Sequence, residues 1–278
     1  MKKLLKLGTF LAVVTLTLAP TLAPAFNPAT HIYIADQLFP ESPHKVDLYY
    51  GSTAPDIANS VSNVEHWPTA FYDTHYDFID LSSYAFGPTQ KAFAKGWLTH
   101  NEAWGADHYA HIEYPDETTP GYVIQKATAF LGLELNRDLT LDFAHFAIEV
   151  AIDLLLKNED PQLGGKLLIA NLLRSWQDRN LLERVIVWKH RRTDWLTLAI
   201  SEMTFRNLVG RYAIALALPS PKDEEALVEL GVELAKETYQ IDVNEQQVAA
   251  ILKAAIGLCE NDYKGMIEYV VEQIESDF

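Results

Sequence analysis

A helical spacing of apolar residues dominates the chain after Pro115. Apolar residues there recur at i, i+3 and i+4, the period of one face of an α-helix. The spacing holds over eight segments: 121–133, 139–156, 164–176, 180–188, 194–218, 222–237, 245–259 and 262–274. Alternating strand patterns are nearly absent. The pattern therefore predicts an all-α fold.

The part of the chain before Pro115 has a different character. It is rich in aromatic residues, histidine, proline and glycine, and short helical patterns cover 30–38 and 47–57. A further helix is predicted from about Gln90, and 60–73 is predicted to be loop. Eight of the nine histidines lie at or before His145. We therefore expect the chemistry in the first half and a helical scaffold in the second.

Residues 1–25 have the pattern of a secretory signal peptide. A lysine-rich start precedes an apolar core at 7–18 and the cleavage pattern Ala23-Pro24-Ala25. The apolar run is too short for a membrane anchor, and no cysteine near the junction indicates a lipid anchor. We expect cleavage after Ala25, one helical domain over 26–278, and a secreted or periplasmic bacterial protein.

The charge of the chain restricts its partners. The formal net charge of −16 becomes −19 when Lys2, Lys3 and Lys6 are removed with the signal peptide. This disfavours sequence-independent nucleic-acid binding, although metal ions could supply local positive charge to a nuclease. The basic run 189–192 is predicted to be a solvated helix end, with binding of phosphate or lipid headgroups as the alternative. Cys259, the single cysteine, leaves no internal disulfide.

Two pairs of potential metal ligands have i, i+4 spacing. They are Asp107 with His111 and His145 with Glu149. Residues at this spacing face the same way on a helix and suit one zinc ion. A single pair is more simply explained by a hydrogen bond between a partly buried histidine and a glutamate. Two pairs in one chain favour a metal site.

The stretch 96–111, GWLTHNEAWGADHYAH, contains further potential ligands. A continuous helix would place His100, Asp107 and His111 within about 60° of one another. His100 and His111 would nevertheless lie roughly 16 Å apart along the axis, too far to share one ion. Either several metals lie along one face, or the helix breaks near Gly105.

The ordered set of these residues resembles a known family. His31, Asp56 in APDI, His75, His100 in GWLTH and the two i, i+4 pairs occur in the order seen in the zinc-dependent phospholipase C superfamily. That superfamily also contains the single-strand-specific nucleases. The resemblance covers roughly 26–149 and implies an all-α, multi-helix single domain of this type. It also implies a cleft that holds three zinc ions.

The resemblance assigns ligands by position. The first ion would use Asp56, His75, His100 and Asp107, with His66 as an alternative to His75. The second would use His111, His145 and Glu149. The third would use His31, a bridging Asp107 or Asp56, and the backbone amino and carbonyl groups of Phe26, where relatives usually have tryptophan. Asp56 would also orient or deprotonate the attacking water.

Two spacings depart from the family pattern. His100 and Asp107 are seven residues apart, about 10 Å of helical rise, and we predict a break at Trp104-Gly105-Ala106 that allows both to reach one metal. Asp56 and His75 are nineteen residues apart, which requires a longer connecting loop.

The resemblance implies hydrolysis of a phosphodiester by zinc-activated water. A phospholipid, approached in a transient contact with a membrane surface, or another phosphodiester is the expected substrate. A nuclease or nucleotidase is the less favoured alternative, and it would need aromatic platforms for bases, with candidates at Trp67, Phe71, Tyr72 and Trp104. A non-catalytic zinc-binding interaction protein is the third possibility.

Overall fold

The computed structural model describes residues 27–61, 65–133 and 139–278, and within these ranges the chain is helical and has no strand. The predicted signal peptide and Phe26 lie outside the described residues. The α-helices are α1 (Pro28–Leu38), α2 (Lys45–Thr53), α3 (Gly87–His100), α4 (Tyr122–Leu131), α5 (Leu141–Glu159), α6 (Leu163–Leu173), α7 (Trp176–Leu182), α8 (Trp195–Ala217), α9 (Lys222–Glu237), α10 (Glu245–Cys259) and α11 (Tyr263–Asp277). The all-α prediction is confirmed.

Shorter helical turns connect several of these helices. Ala54–Ser60 and Ser82–Tyr84 are 3₁₀-helices, whereas Tyr72–Tyr76, His108–Ile112 and Glu183–Lys189 are π-helices. π-helical turns are rare and frequently lie at functional sites. In the described part of the chain no helix has the length and hydropathy needed to cross a membrane.

Polar side chains begin several of the predicted helices. Asn244 and Gln247 form a reciprocal capping box at the start of α10, and such caps satisfy backbone N–H groups that have no helical partner. The segments 222–237 and 245–259 match α9 and α10 at both ends. The segment predicted at 164–176 is instead divided, because the Ser175 hydroxyl accepts a hydrogen bond from Asp178 N and starts α7.

The close crossing of α2 and α3 positions the functional residues. A Cβ atom at Gly51 would lie 2.1 Å from Phe93 O, and one at Gly96 would lie 2.0 Å from Leu48 O. Only glycine at these positions allows the two backbones to approach so closely. The crossing brings the turn after α2, which carries Asp56, against the end of α3, which carries His100.

The long helix α5 forms the other support of the site. It is buried along most of its length and packs against α4 and α10. Thr140 caps its first turn by accepting a hydrogen bond from Phe143 N. His145 and Glu149 therefore project from a rigid, buried element, as their i, i+4 spacing predicts.

Candidate metal centre

Five predicted ligands meet in one buried group around Asp107. His100 Nε2 lies 3.0 Å from Asp107 Oδ2, and His31 Nε2 lies 3.2 Å from Asp107 Oδ1. His75 Nε2 is 3.3 Å from His100 Nε2. Asp56 Oδ1 is 3.6 Å from His75 Nε2 and 3.7 Å from His100 Nε2. We call these residues the Asp107 group.

A break in the helix brings His100 and Asp107 together. Helix α3 ends at His100, and Asn101 Oδ1 then accepts hydrogen bonds from the backbone N–H groups of Ala103, Trp104 and Gly105. An asparagine that satisfies the following backbone in this way replaces the helical hydrogen bonds with a turn. The predicted break is thus present, although it begins at Asn101.

Gly105 is required within this break. A Cβ atom there would lie 2.6 Å from Asn101 N and 2.8 Å from His100 C. The chain therefore folds back tightly onto the end of α3 before it becomes helical again. This reversal replaces the seven-residue separation along a helix axis with direct contact between His100 and Asp107.

Three further predicted ligands form an adjoining group on α5 and the π-helix His108–Ile112. His145 Nε2 is 3.1 Å from His111 Nε2 and 3.2 Å from Glu149 Oε1. We call this the Glu149 group. The described residues thus contain several buried sets of histidine and carboxylate groups whose ligand atoms lie within 4.8 Å of one another.

Glu102 is a site residue that the spacing of ligands in the sequence does not identify. It is buried, and its Oε1 lies 3.1 Å from His111 Nδ1. Its carboxylate is also close enough to Asp107 and His111 to form a set of potential ligands that joins the two groups. On a continuous helix Glu102 would face away from His100, so only the break at Asn101 explains its position.

Hydrogen bonds hold the Nδ1 atoms of two histidines in the Asp107 group. His100 Nδ1 lies 2.8 Å from Ser52 O, and His75 Nδ1 lies 2.6 Å from Thr74 Oγ1. The His75 ring also stacks on Phe71 at a centroid distance of 3.9 Å. These contacts aim the Nε2 atoms into the Asp107 group. Metal-binding histidines are usually oriented by such contacts at the other ring nitrogen.

Burial and neighbouring charges shift the pKa values of residues in both groups. Burial lowers the pKa of His100, but the carboxylates of Asp107 and Asp56 outweigh this effect and raise it to about 9. Burial and the neighbouring His111 lower the pKa of His145. Burial and the Asp56 and Asp107 carboxylates hold the pKa of Glu149 well above its ordinary value. Concentrated acidic groups of this kind are relieved by a bound cation.

The oxygen atoms of the site satisfy a further condition for metal binding. Within the described residues, both carboxylate oxygens of Glu149 are buried and accept no hydrogen bond. Buried carboxylates normally pair, accept hydrogen bonds or coordinate a metal. Imidazole nitrogen and carboxylate oxygen together are a donor set that zinc accepts. The residues therefore fit a metal centre.

The remaining predicted residues lie in different places. His66 is exposed and lies 4.0 Å from Asp194, so His75 and not His66 belongs to the Asp107 group. Phe26 lies outside the described residues. Among the candidate base platforms, Trp67 is buried, Phe71 packs on His75 and Trp104 packs against Phe78 and Phe278, whereas Tyr72 is exposed.

An apolar cavity of about 160 Å³ adjoins Asp56. Half of its lining residues lie on α5, α8 and α9, and they include Phe146, Phe205, Val209, Leu230 and Leu234. At its polar end, Asn59 donates a hydrogen bond from Nδ2 to Asp56 Oδ1 at 2.8 Å. Asn27 Nδ2 and Asn59 Oδ1 are buried there without a hydrogen-bond partner in the described chain.

Comparison with known proteins adds no assignment. No protein-family model, curated protein or solved structure matches this chain. The geometry of the two groups and of the adjoining cavity is therefore the basis for a functional proposal.

Proposed function

We propose that this chain is an exported zinc-dependent phosphodiester hydrolase of the phospholipase C kind. The observation that carries the proposal is the convergence of eight predicted ligands, from distant parts of the chain, in two adjoining buried groups. The resemblance to the zinc-dependent phospholipase C superfamily supplies the expectation of three ions and the same ligand order. The Asp107 group would hold two ions, together with the backbone of Phe26, and the Glu149 group would hold the third.

The chain's own residues would fix the reacting groups. Zinc bound at such a site lowers the pKa of a water molecule and neutralises the oxygens of a phosphodiester. Asp56 lies at the boundary between the Asp107 group and the apolar cavity, and Asn59 fixes its carboxylate by a hydrogen bond. Asp56 is therefore placed to orient a water molecule against a substrate that enters from the cavity side.

The cavity supports a lipid as the substrate. Its volume of about 160 Å³ resembles that of apolar protein cavities that bind benzene-sized molecules. A short stretch of an acyl chain would fit such a space, and Asn27 Nδ2 offers a donor for a polar linker at its polar end. A nucleobase has polar edges that these apolar walls leave unsatisfied, and the net charge of −16 also opposes nucleic acid.

The nuclease or nucleotidase alternative rests on one observation. Tyr72 and Tyr76 lie on the π-helix that carries His75. Both are exposed, and their rings stack on each other with centroids 6.2 Å apart. Such rings provide platforms for unpaired bases. A non-catalytic zinc-binding protein is the remaining alternative, because a complete ligand set by itself does not establish turnover.

Three substrates separate these alternatives. The purified protein at saturating zinc is assayed against a phosphatidylcholine analogue, a chromogenic phosphodiester and single-stranded DNA, with a chelated sample beside each. We expect hydrolysis of the lipid analogue that chelation abolishes. His75→Ala should abolish it, whereas the exposed His66→Ala serves as the matched control and should leave it unchanged. Activity that persists after exhaustive chelation would refute the proposal, and inactivity on all three substrates would favour a binding protein.

A further inference from the structure

The exposed segment that runs from the end of the π-helix Glu183–Lys189 to the first residue of α8 combines tryptophan with basic side chains. We call residues 188–195 the tryptophan loop. Trp188 is 67% exposed and Trp195 is 55% exposed, and the basic run 189–192 between them is exposed throughout. Because a tryptophan side chain has a large apolar area, two exposed tryptophans in one short loop are unusual in a surface that faces only water.

The tryptophan loop has a defined conformation. The backbone N–H of Arg192 donates to Ile186 O at 3.0 Å, so the loop folds back onto the π-helix. Asp194 then caps α8 by accepting a hydrogen bond from Thr197 N at 2.9 Å. Arg191 has a φ of 54°, a left-handed conformation that is unfavourable for a residue other than glycine. The fold thus holds the tryptophan and basic side chains outward at some energetic cost.

The surroundings connect the tryptophan loop to the metal centre. Phe86 is 72% exposed, and the Arg184 guanidinium lies 4.9 Å from the centroid of its ring. Arg192 Nε lies 3.3 Å from Asp73 Oδ1, and Asp73 belongs to the π-helix that carries His75. The exposed aromatic and basic groups therefore lie beside an element of the Asp107 group.

Charge distinguishes this part of the chain from the rest. Residues 169–214 contain eight Lys and Arg residues and four Asp and Glu residues, whereas the whole chain has a formal net charge of −16. A basic region on an acidic protein is complementary to an anionic surface. A second copy of this chain that docked through the same loop would bring like charges together, because a two-fold contact pairs identical patches.

We propose that the tryptophan loop, together with Phe86, docks onto an anionic lipid surface. Tryptophan favours the boundary between headgroups and acyl chains, since its ring is apolar and its N–H group is polar. Lys189 and Arg191 would contact the phosphates of the headgroups. Docking in this orientation would bring a lipid surface next to the π-helix of His75. Binding is measured without turnover, so this proposal can fail or hold independently of the proposed hydrolysis.

Vesicle binding tests the proposal on the full chain. Binding is measured by co-sedimentation and tryptophan fluorescence, using vesicles of phosphatidylcholine with or without phosphatidylglycerol. We expect binding to the anionic vesicles that weakens at high salt, where screening shortens the reach of the charges. Lys189→Ala with Arg191→Ala should weaken it about 25-fold, because each basic residue near an anionic surface contributes about fivefold. Trp188→Ala with Trp195→Ala should weaken it at least about tenfold.

Matched substitutions at other exposed positions serve as controls. Trp176 is also exposed, but it begins α7, roughly 18 Å along the continuous helical segment from Trp188. Lys253 is exposed on α10. Trp176→Ala and Lys253→Ala should bind vesicles as the unaltered protein does. Every variant carries the same N-terminal residues, so binding through those residues alone would be equal in all of them.

Several results would overturn the proposal. One is unchanged vesicle binding in both loop variants, and another is an equal loss in Trp176→Ala. Equal affinity for neutral and anionic vesicles would remove the role of the basic run. Concentration-dependent self-association that the loop variants abolish, without vesicle binding, would identify the loop as a contact between copies of this chain.

Discussion

Replacement of Gly105 by alanine tests how the helix break assembles the Asp107 group. In Gly105→Ala, the new Cβ atom would lie 2.6 Å from Asn101 N and 2.7 Å from Asn101 O. Ordinary contact begins at 3.4 Å, so the Cβ would be 0.8 Å too close to Asn101 N. Both contacts are with backbone atoms, which cannot rotate away. The turn that follows α3 must therefore move.

The expected effect follows from this displacement. Overpacking of a rigid site costs about 1–3 kcal/mol in the free energy of unfolding. A metal site tolerates errors of only about 0.2 Å in ligand distance, and the displaced turn joins His100 to Asp107. We therefore expect Gly105→Ala to weaken zinc binding at the Asp107 group about 10- to 100-fold, an effect of the size seen when supporting contacts are lost.

The measurement is urea unfolding with and without zinc, together with a zinc titration by calorimetry. Gly165→Ala is the matched control, because a Cβ there meets nothing within 4 Å. That variant should gain about 0.5–1 kcal/mol of stability, since alanine is favoured over glycine inside a helix, and should bind zinc normally. If Gly105→Ala matches the unaltered protein in both measurements, the proposed role of the break is refuted.

Other predictions concern the carboxyl groups. Burial and the carboxylates of Asp56 and Asp107 raise the pKa of Glu149. Glu149→Gln should therefore make the metal-free protein more resistant to urea at about pH 8, but it should reduce the amount of bound zinc. Reduced stability of the metal-free variant would contradict this prediction. Glu102→Gln should weaken zinc binding about 10- to 100-fold by releasing His111. The control is Glu113→Gln, which should bind zinc normally because the Glu113 carboxylate contacts only His108 among the histidines. Equal affinities of the two variants in a zinc titration would exclude the role of Glu102. Burial raises the pKa of Asp153 from 3.8 to about 7 despite hydrogen bonds from Thr30 and Tyr212. The folded state therefore retains a proton on Asp153 that the unfolded state loses, and the free energy of unfolding should fall as pH rises from about 4 to 7. In urea unfolding of the metal-free protein across that range, the free energy of unfolding of Asp153→Asn should fall less steeply with pH. An identical pH profile for the variant and the unaltered protein would count against the assignment.

The helices and most of the candidate ligands could be predicted from sequence because both follow from local spacing. The apolar period identified α9 and α10 at their ends, and the i, i+4 spacing of His145 and Glu149 fixed their relative position on any helix. The polar residue Ser175, by contrast, divides a continuous apolar pattern into α6 and α7. Periodicity alone does not report where a side chain will replace a helical hydrogen bond.

Glu102 shows the same limit within the site. Its contact with His111 depends on the turn that Asn101 forms with three following N–H groups. The sequence favoured a break near Gly105, but the direction of the chain after the break depends on packing against the end of α3. The apolar cavity beside Asp56 likewise depends on α8 and α9, which lie far from Asp56 in sequence. Such tertiary juxtapositions are not encoded in local spacing.

The zinc content of the purified protein and of two histidine variants tests the proposed metal centre, and it is measured by elemental mass spectrometry after gel filtration. His111 and His145 approach each other to 3.1 Å across the Glu149 group. We predict that the unaltered protein binds zinc, and that His111→Ala, His145→Ala and the double variant all lose one and the same ion. Protein without tightly bound metal, or a double variant that loses twice as much zinc as either single variant, would contradict the assignment of these residues to one shared site.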